Sequence, residues 1–553
     1  MFRSRRAGSC GCIIALSFVM TTDCVLAQFR QQATLSGTNG SRLGASVGVS
    51  GNGDTMVAGA PALNSSAGGF SVFRRDSGIW FETSSGVVGS GAVGVAAQGG
   101  AVAISADGNT IASGGTGDNS AAGATWVFTR TNNGWAQQGG KLVGSGGLGA
   151  SKQGWAVALS ADGNTLLIGG PQDAVSTGAV WVFTRAGAVW TEQAKLVPSD
   201  ISGGYFGTSV AISADGNTVV GGAPHDDNQH GGAWVFVRNG SAWSQQGGKL
   251  LGTGVDQLFS EQGESVAISA DGNTVLSGGT QDNNANGATW VFIRSGGAWT
   301  QQGNKLFGTG MLGAARQGSA VALSGNGDIA LIGGRNDNQQ VGATWVFTRT
   351  NRVWSQRGSK LVGTQALAGT EQGYSVSLAQ DGSTAAIGSF FTAAGGPARA
   401  WMFFRPGAHD FGRDNWSDIV WRDNAGNVAW WGMWGRSVLQ SAGLGNVPTS
   451  WAIVGQRDFD GDGKSDLLWR NAGTGETAIW FMSDNTVLSA APIANVPSPW
   501  SVAGTADLNG DAIGDLLWRD AAGNLAVWLL NGASVTASVA LGNVPTTWSI
   551  ASH

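Results

Sequence analysis

A motif of about 54 residues recurs seven times between Ser46 and Phe404, and a repeat of that length admits few folds. The fourth copy shows the unit. Ser209-Val-Ala-Ile-Ser alternates apolar and small residues, as a strand buried on one face should. Ala214-Asp-Gly-Asn then supplies a tight turn before Thr218-Val-Val-Gly-Gly-Ala-Pro. A polar loop from His225 to Gly232 follows, then Ala233-Trp-Val-Phe-Val-Arg, Asn239-Gly and Ala242-Trp-Ser-Gln-Gln-Gly-Gly-Lys-Leu. Asp215-Gly216 and Asn239-Gly240 reach positive φ at little cost, the strongest local signal for a hairpin. Four short strands per repeat, unable to bury their own faces alone, predict the stacked blades of a β-propeller.

The third strand pairs Trp with Phe on one face: Trp126/Phe128, Trp181/Phe183, Trp234/Phe236, Trp290/Phe292, Trp345/Phe347 and Trp401/Phe403. At period two these indoles read as packing between blades. The fourth strand, Trp-x-Gln-Gln-Gly-x-Lys-Leu in its clearest form (Trp135–Leu142, Trp243–Leu250, Trp299–Leu306), occurs six times, whereas the first three strands occur seven times. The best match to the missing strand is Gln31–Gly37, ahead of the first copy. The expected fold is therefore all-β: a seven-bladed propeller over 28–408 closed by an N-terminal strand, which removes the open sheet edges. Three further four-stranded propeller-like blades are expected over 409–553.

Among 553 residues, 92 glycines and only 12% charged residues fit hairpin-dense β-structure, and 25 tryptophans argue for a packed core rather than disorder. Residues 1–27 read as a cleaved secretory signal: Arg3, Arg5 and Arg6 precede the apolar stretch Ile13–Met20, and Val25-Leu26-Ala27 offers a cleavage site. Cys10, Cys12 and Cys24 all lie inside it, so the expected mature chain uses neither disulfides nor thiols. Cleavage removes three arginines and Asp23, moving the formal charge from −5 to −7. An acidic surface disfavours nucleic acid as a partner and is compatible with calcium or glycans. No other segment is long and apolar enough to span a membrane.

Three units of about 48 residues begin at Asp410, Asp458 and Asp507. They share Asp418-Ile-Val-Trp-Arg, Asp466-Leu-Leu-Trp-Arg and Asp515-Leu-Leu-Trp-Arg, with Trp451, Trp500 and Trp548 read as lying in the final strand of each unit. The second loop places Asp458, Asp460, Asp462 and Asp466 at relative positions 1, 3, 5 and 9, with glycines between. A tight loop of this kind turns several hard oxygens onto one centre, and the backbone carbonyl of Lys464 at position 7 adds another; calcium, which takes six to eight oxygens in flexible geometry, suits it best. The third loop keeps oxygen side chains at Asp507, Asn509, Asp511 and Asp515, with Ile513 at position 7, and predicts a weaker calcium site. In the first loop Gly412 replaces a ligand and Arg413 adds positive charge, so it reads as an empty structural turn.

The chain resembles the FG-GAP repeat family, bacterial relatives of the integrin α-subunit propeller. Phe206-Gly207 followed by Gly222-Ala223-Pro224 matches the two signatures that name the family; Gly59-Ala60-Pro61 repeats the second and Leu43-Gly44 approximates the first. The C-terminal units look like the calcium-loop version, often described with VCBS-type repeats. The resemblance implies calcium only at Asp458–Asp466 and Asp507–Asp515. In the N-terminal repeats the corresponding loop has shrunk to Ala-Asp-Gly-Asn and its variants (Asp107, Asp162, Asp215, Asp271), and one carboxylate per short hairpin cannot wrap calcium.

The loops between second and third strands carry Asp118-Asn119, Asp226-Asp227-Asn228, Asp282-Asn283-Asn284 and Asp337-Asn338. Such groups recognise sugar hydroxyls or polar partner loops, but solubility and loop capping account for them more simply. Trp430, Trp431 and Trp434 are denser than packing requires and offer an alternative sugar-stacking platform. His225 and His230 beside Asp226 and Asp227 could capture a transition metal, though one repeat alone has them. Catalysis has little support, with no serine in a nucleophile elbow. The expectation is a secreted, non-enzymatic adhesion or recognition protein with calcium-stabilised repeats that binds a protein or glycan at a cell surface. A lectin-like module using the Trp-rich C-terminal units is the alternative, and a propeller hydrolase or lyase a distant third.

Overall fold

The structure is a computed structural model that describes residues 29–76, 79–255, 259–390, 397–405, 410–411, 417–434, 437–462, 464–483, 485–509 and 513–548. The expected signal segment lies outside the described residues. Up to Phe404 the chain forms seven four-stranded antiparallel sheets. In the fourth, Ser209–Ile212, Thr218–Gly222, Ala233–Asn239 and Ala242–Gln245 follow one another across the sheet in chain order. The turn before the second strand closes as the sequence predicts: Asp215 accepts the Asn217 backbone N–H at 3.0 Å and its side-chain amide at 2.9 Å. Burial opposes ionisation of that carboxyl, but bonds from Ser213 and Asn217 and the charge of Arg238 outweigh it and hold its pKa below the usual carboxylate range.

The seventh sheet takes three strands from Ser375–Leu378, Thr384–Gly388 and Pro397–Phe404, and its outer strand from Arg30–Asn39. Pairing is antiparallel with Thr34 opposite Trp401, so the segment Gln31–Gly37 lies beside the strand of Trp401. The first strands of successive sheets are neighbours, and that of the seventh sheet neighbours that of the first. Backbone amides trace the same circuit: Gly51 donates to Ala106, and the series continues through Ala161, Ala214, Ala270 and Gly325 to Gln380, with Asp381 donating back to Gly51. The seven first strands line one channel of about 240 Å³.

Packing between sheets uses the repeated aromatic face. Trp126, Trp181, Trp234, Trp290, Trp345 and Trp401 are fully buried. Trp181 and Phe183 pack against Ala112 and Val127 of the preceding sheet. The indole N–H of Trp181 finds the Ser145 carbonyl at 2.8 Å, so no polar atom of the ring is left without a partner. Gly144 is needed here: a Cβ on it would lie 2.1 Å from Cδ1 of Trp181.

Beyond Asp410 there is one three-stranded sheet (Ile419–Arg422, Asn427–Trp434, Ser437–Asn446) followed by two of four strands. The latter are Trp451–Arg457, Asp466–Asn471, Glu476–Ser483, Thr486–Asn495 and Ser501–Ala506, Asp515–Arg519, Asn524–Asn531, Ser534–Asn543. This corrects the expectation of three four-stranded units. The strand bearing Trp451 pairs with Asp466–Asn471, in the next unit, and not with its own. Each Asp-rich loop in the two complete sheets thus joins a first strand to a second, and among the described residues the first unit has no such strand ahead of Ile419–Arg422.

Candidate metal centre

The loop between Trp451–Arg457 and Asp466–Asn471 is built from successive side-chain-to-backbone turns. Asp458 accepts the Gly461 N–H at 2.7 Å, Asp460 that of Asp462 at 3.1 Å, and Asp462 that of Lys464 at 2.8 Å. These bonds wind the chain so that one oxygen from each of Asp458, Asp460 and Asp462 lies within 4.8 Å of the others. Among the described residues this is the one group of three or more carboxylate, imidazole or thiol ligands gathered in that way. Hard oxygen donors on a flexible loop fit a divalent cation of the calcium type. Asp458, Asp460 and Asp462, with the Lys464 carbonyl, would hold it, and its charge would offset their repulsion.

Asp466, at position 9, does something the spacing did not announce. Its oxygens accept backbone N–H groups from Phe459 at 2.8 Å and Met482 at 2.9 Å, bracketing the loop entry to the third strand. Asp515 does the same with Leu508 and Leu530 at 2.8 and 2.9 Å, and Asp418 with Phe411 and Met433 at 3.1 and 3.0 Å. The available clue was Asp418, retained in a loop that has lost a ligand to Gly412. Burial, reinforced by Asp460 and Asp458 and opposed by the two N–H bonds, pushes the Asp466 pKa up to about 8. Without a cation, the loop keeps a proton there at neutral pH.

The loops are linked to one another and to the N-terminal sheets. Ser465 donates to the Asp410 carbonyl and Gly514 to that of Asp458. The Arg30 guanidinium, from the outer strand of the seventh sheet, pairs with the Asp458 carboxylate, both side chains being largely buried. The Lys464 ammonium instead reaches the Ser483 hydroxyl. In the third loop Asp507, Asn509, Ile513 and Asp515 are described, while Asp511 lies outside the described residues, as do Gly412 and Arg413 of the first.

The polar loops of the N-terminal sheets serve the fold. Asp118, Asp173, Asp226, Asp282 and Asp337 are almost fully buried. They pair with Lys141, Lys195, Lys249, Lys305 and Lys360 at 2.5–3.0 Å. Asp118, Asp173 and Asp337 also accept N–H groups from the incoming connection at Val93, Leu148 and Leu312. Asn119, Asp227, Asn283 and Asn338 sit at φ +48° to +52°, the left-handed region that Asn and Asp tolerate. Of the proposed sugar platform, Trp430 is buried at 4% exposure with its indole N–H on Asp418 at 3.2 Å, so it cannot stack on a ligand. Trp431 and Trp421 are the exposed pair, ring centroids 4.9 Å apart; the Trp434 side chain lies outside what is described. His230 bonds the Asp227 carbonyl at 2.6 Å while His225 packs edge-on to Tyr205, so the two do not form a metal pair with the loop carboxylates.

The fold and the acidic loops define an all-β repeat protein of propeller-like sheets with a gathered cluster of carboxylates in its C-terminal part. A family model described as FG-GAP repeat matches residues 190–236, and one described as FG-GAP-like repeat matches 458–518. FG-GAP-type repeats are thus present in both parts of the chain, the second match spanning the second and third acidic loops. No curated protein matches the chain.

Proposed function

We propose that this is a secreted, non-enzymatic binding protein with calcium-held acidic loops that recognises a protein or glycan at a cell surface. Its seven N-terminal sheets are read as one closed seven-bladed propeller, a rigid scaffold that presents loops of different composition around one axis. The observation that carries the calcium reading is the gathering of Asp458, Asp460 and Asp462 within 4.8 Å. Once Asp466 gives up its proton, four loop carboxylates against Arg30 and Lys464 leave a net formal charge of −2, which one divalent ion neutralises. A non-catalytic role is favoured because the carboxylates most often repeated in the N-terminal sheets are buried in ion pairs and turns rather than facing a cleft. The leader-like residues 1–27 motivate secretion, where millimolar calcium is available to extracellular modules of modest affinity.

A calcium titration of the full chain, followed by thermal unfolding, tests the reading. Saturable stabilisation is expected, worth about 2.7 kcal/mol at a hundredfold excess over Kd, and Asp462→Ala should abolish most of it. A melting curve indifferent to calcium in both proteins would overturn the metal assignment.

A further inference from the structure

We infer that the mouth of the channel, at the end where the seven first strands begin, is a binding site for an acidic oligosaccharide. This rests on the reading of the protein as a binding protein and names its ligand class and place.

The framework of the repeats recurs nearly letter for letter, as in Gln98-Gly, Gln153-Gly, Gln262-Gly, Gln317-Gly and Gln372-Gly just ahead of the first strands. The residue before this pair varies, with five residue types over the seven positions. It is Arg42 and Ala97 in the first two sheets, then Lys152, Tyr205, Glu261, Arg316 and Glu371. All seven hold φ between +53° and +69°. A left-handed conformation costs a residue with a Cβ about 1–2 kcal/mol, and loops elsewhere in this chain also accept it, as at Ala174 and Val175. What sets these seven turns apart is that the side chain held there changes from sheet to sheet while most of the framework around it does not.

Three residues further on, at the start of the channel-lining strands, stand Trp155, Glu264 and Tyr374, again without repetition. The ends of the second strands add His225, Thr280, Arg335 and Phe390. These groups touch across sheet boundaries. His225 Nε2 lies 3.9 Å from Glu261, whose other oxygen accepts the Thr280 hydroxyl at 2.8 Å. The Arg335 guanidinium lies 5.4 Å over the Tyr374 ring, Tyr374 stacks on Phe390 at 4.6 Å, and Arg42 covers Phe390 at 4.6 Å. On the other side Lys152 lies 5.4 Å over Trp155, which is 45% exposed. The remaining polar groups are mostly half-buried: reachable, yet held in place.

Ligand class follows from the chemistry. Four cations face three carboxylates on a chain that is acidic overall. Burial shifts Glu264 and Glu371 toward their neutral forms, against the pull of Arg335 and Arg316, so the mouth is net positive. Guanidinium groups match carboxylates in two-pronged geometry. Trp155 and Tyr205 offer apolar faces with polar edges, as a pyranose ring does, while Tyr374, in contact with Phe390 and Arg335, holds that guanidinium in position. A polymer of uronate residues presents both features at the spacing of one sugar.

The test uses the full chain and isothermal titration with galacturonate, glucuronate and mannuronate tetramers beside neutral cellotetraose. At least one acidic tetramer should bind saturably and at least tenfold more tightly than cellotetraose. Arg335→Ala and Tyr374→Ala should each weaken it at least tenfold, and the exposed Trp155→Ala gives the same readout should either fold poorly. Trp421→Ala, in the C-terminal sheets, should leave affinity unchanged. No binding of any acidic tetramer, binding indifferent to all three mouth substitutions, or loss with Trp421→Ala would overturn the inference. Competition at the mouth by a peptide in place of any sugar would overturn the glycan class. Calcium-dependent stabilisation persisting through these failures would leave the broader reading standing.

Discussion

The Gln153 side chain illustrates how a repeated residue is chosen by the atoms it must satisfy. Its amide accepts the Gly144 N–H at 2.6 Å and donates to the Gly144 carbonyl at 3.0 Å, a two-way bond inside the protein. Gln98, Gln262 and Gln317 repeat it with Gly89, Gly252 and Gly308. In the connection after the third sheet Pro198 takes the glycine position and has no N–H to give. There Phe206 stands in place of glutamine and packs edge-on to Trp234 at 6.0 Å. Gln153→Leu should therefore cost about 2–4 kcal/mol in denaturant unfolding, because it leaves two buried backbone groups unpaired. Asp466 makes a pH prediction. Its folded pKa, about 8, lies above the 3.8 of an ordinary aspartate, so the folded, metal-free protein holds a proton that the unfolded chain releases. Stability from this group is complete below the unfolded value and is lost as pH rises through about 8. Chelated protein should thus melt at lower temperature at pH 8.5 than at pH 5, and calcium should shrink or reverse that difference; an unchanged trend with calcium would count against the site.

At the scale of elements, the loop between second and third strands, the connection between sheets and the fourth strand are fastened by one carboxylate. Asp173 accepts the Leu148 N–H at 2.6 Å and the Ser151 hydroxyl at 3.1 Å, and pairs with Lys195 at 2.6 Å. Lys195 also lies 5.1 Å over the Trp181 ring. Truncation at Asp173 leaves a half-buried ammonium and an N–H without their acceptor, so Asp173→Ala should cost about 2–4 kcal/mol. By contrast Asn119→Gly, at φ +48°, should be close to neutral in the same assay, since the residue is there for its backbone. A large loss at Asn119 and none at Asp173 would reverse the roles given to these loops. Arg185, Arg238, Arg294 and Arg349 of the third strands lie 5.2–5.4 Å over Trp190, Trp243, Trp299 and Trp354 of the fourth, which explains why that indole recurs on a partly exposed strand.

For the whole molecule, the strand Arg30–Asn39 does two jobs. It covers the edge of Pro397–Phe404, and its first residue reaches the Asp458 loop. Removing residues 28–39 should expose that strand edge and unseat Arg30 together, giving concentration-dependent aggregation by light scattering. Arg30→Ala alone keeps the edge covered and should leave the protein monodisperse while lowering its melting temperature. Aggregation of the point variant with a soluble truncation would contradict this division.

The repeat period, the four strands of each N-terminal unit, the Asp-Gly turns and the strand that completes the seventh sheet were legible because each is written in local alternation and turn chemistry. So was the gathering of the Asp458, Asp460 and Asp462 carboxylates, whose spacing confines them to one turn of chain. Tertiary structure alone decided what depends on distant partners. Trp451 looked like the end of one unit yet pairs with Asn471 in the next, since strand pairing between similar units is a matter of competition rather than propensity. Trp430 and Trp431 are neighbours on a strand and must face opposite ways, but only packing chose which one is buried. The Asp173–Lys195 bracket and the crowding of Tyr205, Glu261, Arg335 and Tyr374 at one channel mouth join residues far apart in the chain. Such juxtapositions follow from how neighbouring sheets pack against one another, which no single repeat encodes.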